Sequence, residues 1–323
     1  MAESKFYSST TAPTVSVIMN CLNCSRYLRE AIDSVYAQTY DNWEIIFWDN
    51  ASTDQSAEIA KGYDARVKYF KSKETHPLSR ARNLAFKEVT GEYIAILDCD
   101  DVWLPNKLKE QIALFTRNPN LGMTYSNSIF FDDKGEKFHM FQAVRPQSGY
   151  VFGNLLKKNF ISSETMIFRK SALDSLDYMF NEELTVVMDY DLTLRLALLY
   201  EMDYIEEPLS KWRMHPQSGS NKKRFVIPHE TLRVLESLIN QKPEISTQFG
   251  EEINLFKKAL SYDFALEAWF KGDRQALRLH LKPYLKDKKF LLTYILSSFM
   301  SYSYYEKNKS RLQHILLHLS KGG

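Results

Sequence analysis

Apolar and polar positions follow two rhythms along the first hundred residues. Val15-Ser16-Val17-Ile18-Met19, Trp43-Glu44-Ile45-Ile46-Phe47-Trp48 and Val67-Lys68-Tyr69-Phe70 are β-branched and aromatic runs of strand length. Between the first two, Tyr27, Leu28, Ile32 and Val35 recur at helical spacing and predict a helix over Arg26 to Tyr36. Further helices are predicted from Ser52 to Tyr63, with Asp54 or Ser52 as cap, and from Ser79 to Glu88, with Gly91 closing it. Tyr93 to Leu97 is the next strand. This βαβαβαβ order predicts a mostly parallel sheet with helices on both faces. Ligands of such sheets gather outside the carboxyl ends of the strands. Asn20-Cys21, Asp49-Asn50 and Asp98-Cys99-Asp100 all fall at such ends, so one crevice reaches all three.

Beyond Asp101 the pattern becomes mixed. A helix is predicted from Pro105 to Asn118 and a strand from Met123 to Phe131, with a turn at Asp132-Asp133-Lys134-Gly135. Thr165 to Phe168 reads as a strand and Asp189 to Tyr200 as a helix. From about Phe225 onward the apolar spacing is helical throughout, which predicts a second, all-helical unit to about residue 320. The chain is expected to divide into a polar N-terminus (1–13), an α/β domain (14–224) and a helical region (225–323).

Composition narrows the function classes. The 323 residues are 44% hydrophobic and 25% charged with a net charge of only +2, so no global field calls for nucleic acid. Three cysteines (Cys21, Cys24, Cys99) are too few for a disulfide framework and point to a reducing, cytoplasmic setting. Residues 1–14 lack the apolar stretch of a signal peptide, and no run is long enough to span a membrane.

The strongest chemical signal is Ile94-Ala95-Ile96-Leu97-Asp98-Cys99-Asp100-Asp101, an apolar run ending in three carboxylates. Carboxylates this close repel by roughly 1 kcal/mol or more, unless a cation neutralises them. A divalent ion that also holds a phosphate, Mg²⁺ or Mn²⁺, is the simplest candidate, against a plain polar loop. Asp49, at the mouth of the second strand, suits either the ring N–H of a pyrimidine base or a helix-cap cluster. Arg80 and Arg82 are two apart and do not share a helix face, so if one faces the crevice, where it could contact a base or diphosphate, the other is a solvated charge; locally, exposure is the default for either. Asp189 and Asp191 open a helix, where acids suit the dipole; one of them is a candidate general base. In the loop around Pro216, His215 is a candidate metal or phosphate ligand, and Arg213 a partner for a diphosphate or an acid. Cys21-Leu22-Asn23-Cys24 has a redox or zinc spacing, and Cys99 could supply a third thiolate. With no fourth ligand evident and a ligand crevice expected at the same edge, a thiolate site is the disfavoured reading.

Taken together, residues 13 to 220 resemble the family 2 glycosyltransferases. The resemblance is carried by the opening strand through Asn23, by Ser34 to Tyr40 with Trp43 to Ile46, and by Asp49-Asn50-Ala51-Ser52-Thr53-Asp54. It continues through Ala81-Arg82-Asn83, Gly91 to Asp101 with its Asp-x-Asp pattern, Met188-Asp189-Tyr190-Asp191-Leu192 with Arg195, and Pro208 to His215. Asn20, Leu22 and Met188 depart from the usual proline, tyrosine and acid. The resemblance implies a GT-A (nucleotide-diphospho-sugar transferase) fold with a C-terminal helical extension. It implies an inverting, metal-dependent hexosyltransferase using Mn²⁺ or Mg²⁺ in cell-surface polysaccharide or glycoconjugate biosynthesis. Asn23, Asp49, Arg82, Asp98 and Arg213 would bind the nucleotide-sugar donor, Asp100 with His215 the metal, and Asp189 would be the general base. The acceptor would be a glycan or lipid-linked hydroxyl.

Two alternatives compete. A sugar nucleotidyltransferase would open with a glycine-rich phosphate loop, and Cys21-Leu22-Asn23-Cys24-Ser25 has no glycine. A non-catalytic binding protein on the same fold is the other, given Met188 and the unusual first loop. In the tail, Lys282, Lys286, Lys288 and Lys289 flank the apolar run Phe290 to Met300, with Lys307, Lys309 and Arg311 beyond. A basic, aromatic-rich helix of this kind suits peripheral contact with the inner face of an anionic membrane, against packing on the catalytic domain or a second subunit as a homo-oligomer.

Overall fold

Four parallel strands carry the first half of the molecule: β1 (Val15–Cys21), β2 (Trp43–Asp49), β3 (Val67–Lys71) and β4 (Tyr93–Ile96), in the spatial order β3-β2-β1-β4. The structure is a computed structural model that describes residues 14–216, 218 and 223–308. Helices α1 (Ser25–Tyr36), α2 (Ser56–Lys61) and α3 (Leu78–Phe86) make the crossovers that parallel neighbours require. β1, β2 and β4 are apolar and buried almost throughout because helices cover the sheet.

The second half turns the sheet mixed. It contributes β5 (Val102–Trp103), β6 (Leu121–Asp132), β7 (Gly135–His139), β8 (Ile167–Arg169) and β9 (Glu201–Arg213). The order continues β4-β8-β6-β9-β5, with β8 antiparallel to β4 and β6, and β9 parallel to β6. β7 returns on β6 after a turn, with Gly135 at φ 112° where a side chain would be strained. Helices α4 (Lys107–Arg117), α5 (Met140–Ala143), α6 (Phe152–Lys157), α7 (Lys170–Asp174) and α8 (Met188–Ala197) complete this unit.

One apolar core runs between β1, β2, β4 and the helices α1 and α4, through Val17, Met19, Leu28, Ile32, Phe47, Leu108 and Phe115. Polar groups buried beside it are paired. Glu164, 1% exposed, accepts from Ser128 Oγ and Ser162 Oγ at 2.5 Å each. Lys107, fully buried, donates to Gln111 Oε1 at 2.5 Å and to the Thr165 carbonyl at 2.7 Å. These bonds tie α4 to the turn before β8 at positions where unpaired charges would be costly.

One expected element is shifted and one long strand was not expected from the sequence. The helix expected from Ser52 begins at Ser56, because residues 50–55 fold back on the loop after β1 and spend their cap groups there. The segment around Tyr204 to Leu209 belongs to a 13-residue strand. Its alternation is broken by register shifts against β6 at Ser126/Asn127 and Asn127/Ser128, which hides the period-two pattern.

The chain divides into two units between Lys222 and Lys223. Within the second, helices occupy Ile227–Gln241, Glu244–Gln248, Gly250–Lys271, Arg274–Leu281, Lys288–Phe299 and 302–308. They close around Tyr262, Ala265, Trp269, Leu277, Leu281 and Phe290. Gly272 at φ 77° ends the longest helix, and Asp273 caps the next by accepting from Ala276 N–H at 2.9 Å. No helix among the described residues is long and apolar enough to cross a membrane. The polar N-terminus 1–13, Gln217, Gly219, Ser220, Lys309, Arg311 and the end of the expected helical region lie outside the described residues.

Candidate active site

The parallel register brings the ends of β1, β2 and β4 to one edge, and the loops leaving them are stitched together. Asn23 and Ala51 hold positive φ, 55° and 65°, which is uncommon for residues with a side chain. The bonds across the loops account for the cost. Asn23 N–H donates to Ser52 Oγ at 3.1 Å, and Thr53 N–H donates to Asn23 Oδ1 at 2.8 Å. Asp54 accepts from the Ser25 N–H that opens α1 at 2.9 Å and from Ser56 N–H at 3.0 Å. Burial pushes the Asp54 carboxyl up, but these hydrogen bonds outweigh it and hold it at about 2. Asp54 therefore caps both helix starts. Asp49 lies beneath, 0% exposed, accepting from Ser52 N–H at 2.7 Å and Tyr69 Oη at 2.5 Å. Asn23 and Asp49, both expected at the donor, are thus engaged as braces of these loops.

The centre of the edge is Arg82. It comes from α3, is 1% exposed, and donates to Asp98 Oδ1 at 2.7 Å and to Asp189 Oδ1. Asp98 leaves β4 and Asp189 opens α8, so one guanidinium joins two acidic segments remote in sequence. Burial disfavours the Arg82 charge, yet the two carboxylates outweigh it and hold its pKa above the ordinary value. Burial also pushes the Asp189 carboxyl above the usual carboxylate range, against the opposing pull of Arg82. Asp189 Oδ2 takes no hydrogen bond among the described residues, and its side chain stays 20% exposed. Next to Arg82, Asn83 clamps the Phe180 backbone through both amide atoms, at 2.9 and 3.0 Å. Arg80 is exposed, as the two-residue offset requires.

The second acid of α8 has a different fate. Asp191 is buried and paired with Arg195 Nη2 at 2.8 Å, and Arg195 donates on to the Tyr178 and Met179 carbonyls. That pair anchors the segment before the helix and leaves Asp189 as the open acid.

Beside this hub, Asp100 Oδ2 and His215 Nε2 lie 2.8 Å apart. Burial and the charge of Asp98 push the Asp100 carboxyl up, against the pull of His215. An oxygen and a nitrogen donor meeting beside an aspartate pair suit a divalent ion that also takes phosphate oxygens, so Asp100 and His215 fit the expected metal. The third acid is buried behind the other two. Asp101 is 2% exposed, accepts from Arg213 N–H at 2.9 Å, and is pushed well up by burial and by Glu164. Asp100 and Asp98 push it up as well, so the three acids do crowd one another, but only Asp98 and Asp100 keep part of their surface open.

Of the two partners expected for Arg213, a diphosphate or an acid, the structure supplies an acid. Arg213 is 7% exposed, donates to the Asp100 carbonyl at 2.8 Å and Glu30 Oε2 at 2.5 Å, and lies 4.4 Å from the rings of both Tyr27 and Phe131. Through Nε and Nη2 it is a strut for the acidic loop. Tyr27 and Glu30 were not anticipated there. They are three apart on α1, so they share a face, and that spacing was the available signal.

Comparison with known proteins fits this geometry. The family model described as "Glycosyl transferase family 2" matches residues 16–177. An uncharacterized glycosyltransferase of Rickettsia felis is 30% identical over 219 residues, 65% of this chain, and the chain spans only 36% of that relative's length. The Escherichia coli UDP-Glc:alpha-D-GlcNAc-diphosphoundecaprenol beta-1,3-glucosyltransferase WfgD is 32% identical over 169 residues, covering 51% of this chain and 64% of WfgD. A mannosyltransferase from Pyrobaculum calidifontis, solved with GDP-Man and Mn²⁺, superposes with a TM-score of 0.58 at 17% identity, over 90% of this chain and 85% of that one. The fold is GT-A with a helical C-terminal region, and the chain belongs to glycosyl transferase family 2.

Proposed function

We propose that this glycosyltransferase moves a sugar from a nucleotide-diphosphate donor to a hydroxyl of a glycan or lipid-linked acceptor, with inversion at the anomeric carbon, in the synthesis of cell-surface polysaccharide or glycoconjugate. The observation that carries the reading is the Arg82 hub. It places the acid leaving β4 and the acid opening α8 on one buried cation, so a diphosphate-side group and a base share one fixed frame.

Asp189 acts as the general base. Its pKa, raised by burial, brings proton affinity closer to that of a hydroxyl in the transition state, and Oδ2 is the oxygen left to take the proton. Arg82 fixes the orientation of that carboxylate and balances the charge of Asp98. Asp100 and His215 would hold Mn²⁺ or Mg²⁺, which would supply Lewis-acid stabilisation to a diphosphate leaving group. Asp98 faces ribose or metal-bound groups. Asn23, Asp49 and Arg213 serve the donor by holding the three loops in place. Residues 14–224 form the transferase domain in this reading, and 225–323 a helical extension. Exposed Leu279, Leu291, Ile295 and Phe299 on those helices support peripheral contact with a membrane carrying the acceptor.

The Pyrobaculum structure, with its bound GDP-Man and Mn²⁺, supports the donor class and the metal. The Escherichia coli relative, named for a diphosphoundecaprenol acceptor, supports the lipid-linked acceptor. The test is NMR of the product formed from an α-linked nucleotide-sugar. A β-glycoside is expected; retained α configuration rejects Asp189 as the base of a single displacement. Co-sedimentation with anionic liposomes, intact against tail-deleted chain, tests the membrane contact; equal recovery rejects it.

A further inference from the structure

All three cysteines of the chain converge on one spot, where the sequence disfavoured a thiolate site for want of a fourth ligand. The Sγ atoms of Cys21, Cys24 and Cys99 all lie within 4.8 Å of one another. They form the only group of three or more metal-ligating side chains found this close together among the described residues. The register explains how. β1 and β4 pair in parallel to Ile18↔Ile96, and carrying that register three residues further brings Cys21 level with Cys99. Cys24 closes the triangle from the start of α1, two residues past the loop formed by Leu22 and its neighbours. Cys21 and Cys99 are buried, while Cys24 is only partly buried and leaves one approach from solvent.

We propose that Cys21, Cys24 and Cys99 form a thiolate site for a thiophilic ion, with zinc(II) as its natural occupant. Zinc–sulfur bonds of about 2.3 Å in tetrahedral geometry put sulfurs about 3.8 Å apart, so edges within 4.8 Å close by an ångström or less. Three thiolates fill three positions, and the side open at Cys24 leaves the fourth to water. The chemistry separates this site from the acidic one. Soft sulfur ligands select zinc and its congeners, whereas carboxylates favour Mg²⁺ and Mn²⁺. Zinc binding displaces the thiol protons, and the weak contacts from Cys99 Sγ to the Asn20 carbonyl (3.3 Å) and Cys24 Sγ to the Leu22 carbonyl (3.5 Å) are readily given up.

Its place gives the site a consequence. Cys21 and Cys24 bracket the loop that holds Asn23 in its left-handed conformation, and Cys99 lies between Asp98 and Asp100. An ion there ties the roots of the two loops that frame the donor edge. The proposal holds for any donor and does not depend on the catalytic reading.

The experiment uses the full chain, completely reduced and freed of metal, titrated with Cd²⁺ as spectroscopic stand-in while excess Mn²⁺ occupies carboxylate sites. A thiolate-to-cadmium charge-transfer band saturating at one equivalent is expected, and carboxylates cannot produce it. Cys24→Ser, at the partly exposed corner, is expected to retain about two-thirds of the band and to bind zinc more than about tenfold more weakly. Asp100→Ala is expected to leave the band intact. In the wild type, one equivalent of zinc should slow the reaction of all three thiols with a disulfide reagent, and a chelator should restore it. Absence of the band, a full-strength band in Cys24→Ser, or thiols that react equally fast with zinc and with chelator overturns the proposal.

Discussion

Two buried arginines touch the same acidic loop and do opposite things. Arg82 binds two carboxylates that each keep part of their surface open, Asp98 at 34% and Asp189 at 20%. Arg213 is sandwiched between Tyr27 and Phe131 and spends its donors on a carbonyl and on Glu30. Around Arg82 the carboxylates remain addressable by a ligand; around Arg213, Nε and Nη2 are bonded within the protein. The difference lies in what surrounds the guanidinium, not in its burial, since both are nearly inaccessible.

Asp189→Asn cuts most deeply into the open region. Turnover is expected to fall by about two to four orders of magnitude, with the dissociation constant for nucleotide-sugar little changed. Steady-state kinetics beside calorimetry measure both; near-normal turnover would remove Asp189 from the chemistry. Arg82→Met comes next. It leaves two acids facing one another, at a cost of about 3 kcal/mol by urea denaturation, the lower end for a broken buried pair because Asp98 is partly in water. Donor binding should weaken with it.

Arg213→Met is the matched experiment on the closed region. A loss of about 2 kcal/mol is expected from the missing charged hydrogen bonds, with donor affinity following only through loosening of the acidic loop. If Arg213→Met abolished donor binding while melting normally, the contrast between the two arginines would collapse. The pH profile sharpens it further. The base works deprotonated, so activity must fall as pH drops through the Asp189 pKa. Burial raises that pKa, so the acidic limb should sit above the roughly 3.9 of an ordinary aspartate. A limb at or below that value would mean that Arg82 prevails over burial. The smallest effect belongs to Ala51→Gly, which relieves a left-handed residue at φ 65° and should stabilise by about 1 kcal/mol in a thermal melt.

Much of the first half was legible because local rules govern it. β1, β2 and β4 begin and end within two residues of the apolar runs that predict them. Helix geometry kept Arg80 and Arg82 off one face, and the family resemblance pointed to Arg82 as the inward one. What failed to read did so for a common reason. Asp54 and Ser52 are good cap residues, and local propensity offered one or the other to the helix that follows. Asp54 does cap it through Ser56 N–H, but its other oxygen, like Ser52 Oγ and Asn23 Oδ1, is spent across the gap between two loops some thirty residues apart. β9 was obscured because a strand whose register slips against its neighbour loses the alternation that announces it.

The sequence by itself determined which residues stand at strand ends and in what order the acidic segments come, because hydrophobic periodicity and turn chemistry act over a few residues. Only the tertiary structure decided that Arg82 joins Asp98 to Asp189, that Asp101 and Arg213 turn inward, and that the thiols of Cys21, Cys24 and Cys99 meet. Those choices depend on strand register and on competition among buried hydrogen-bond partners. Both are set by pairings between distant segments, which no local pattern encodes.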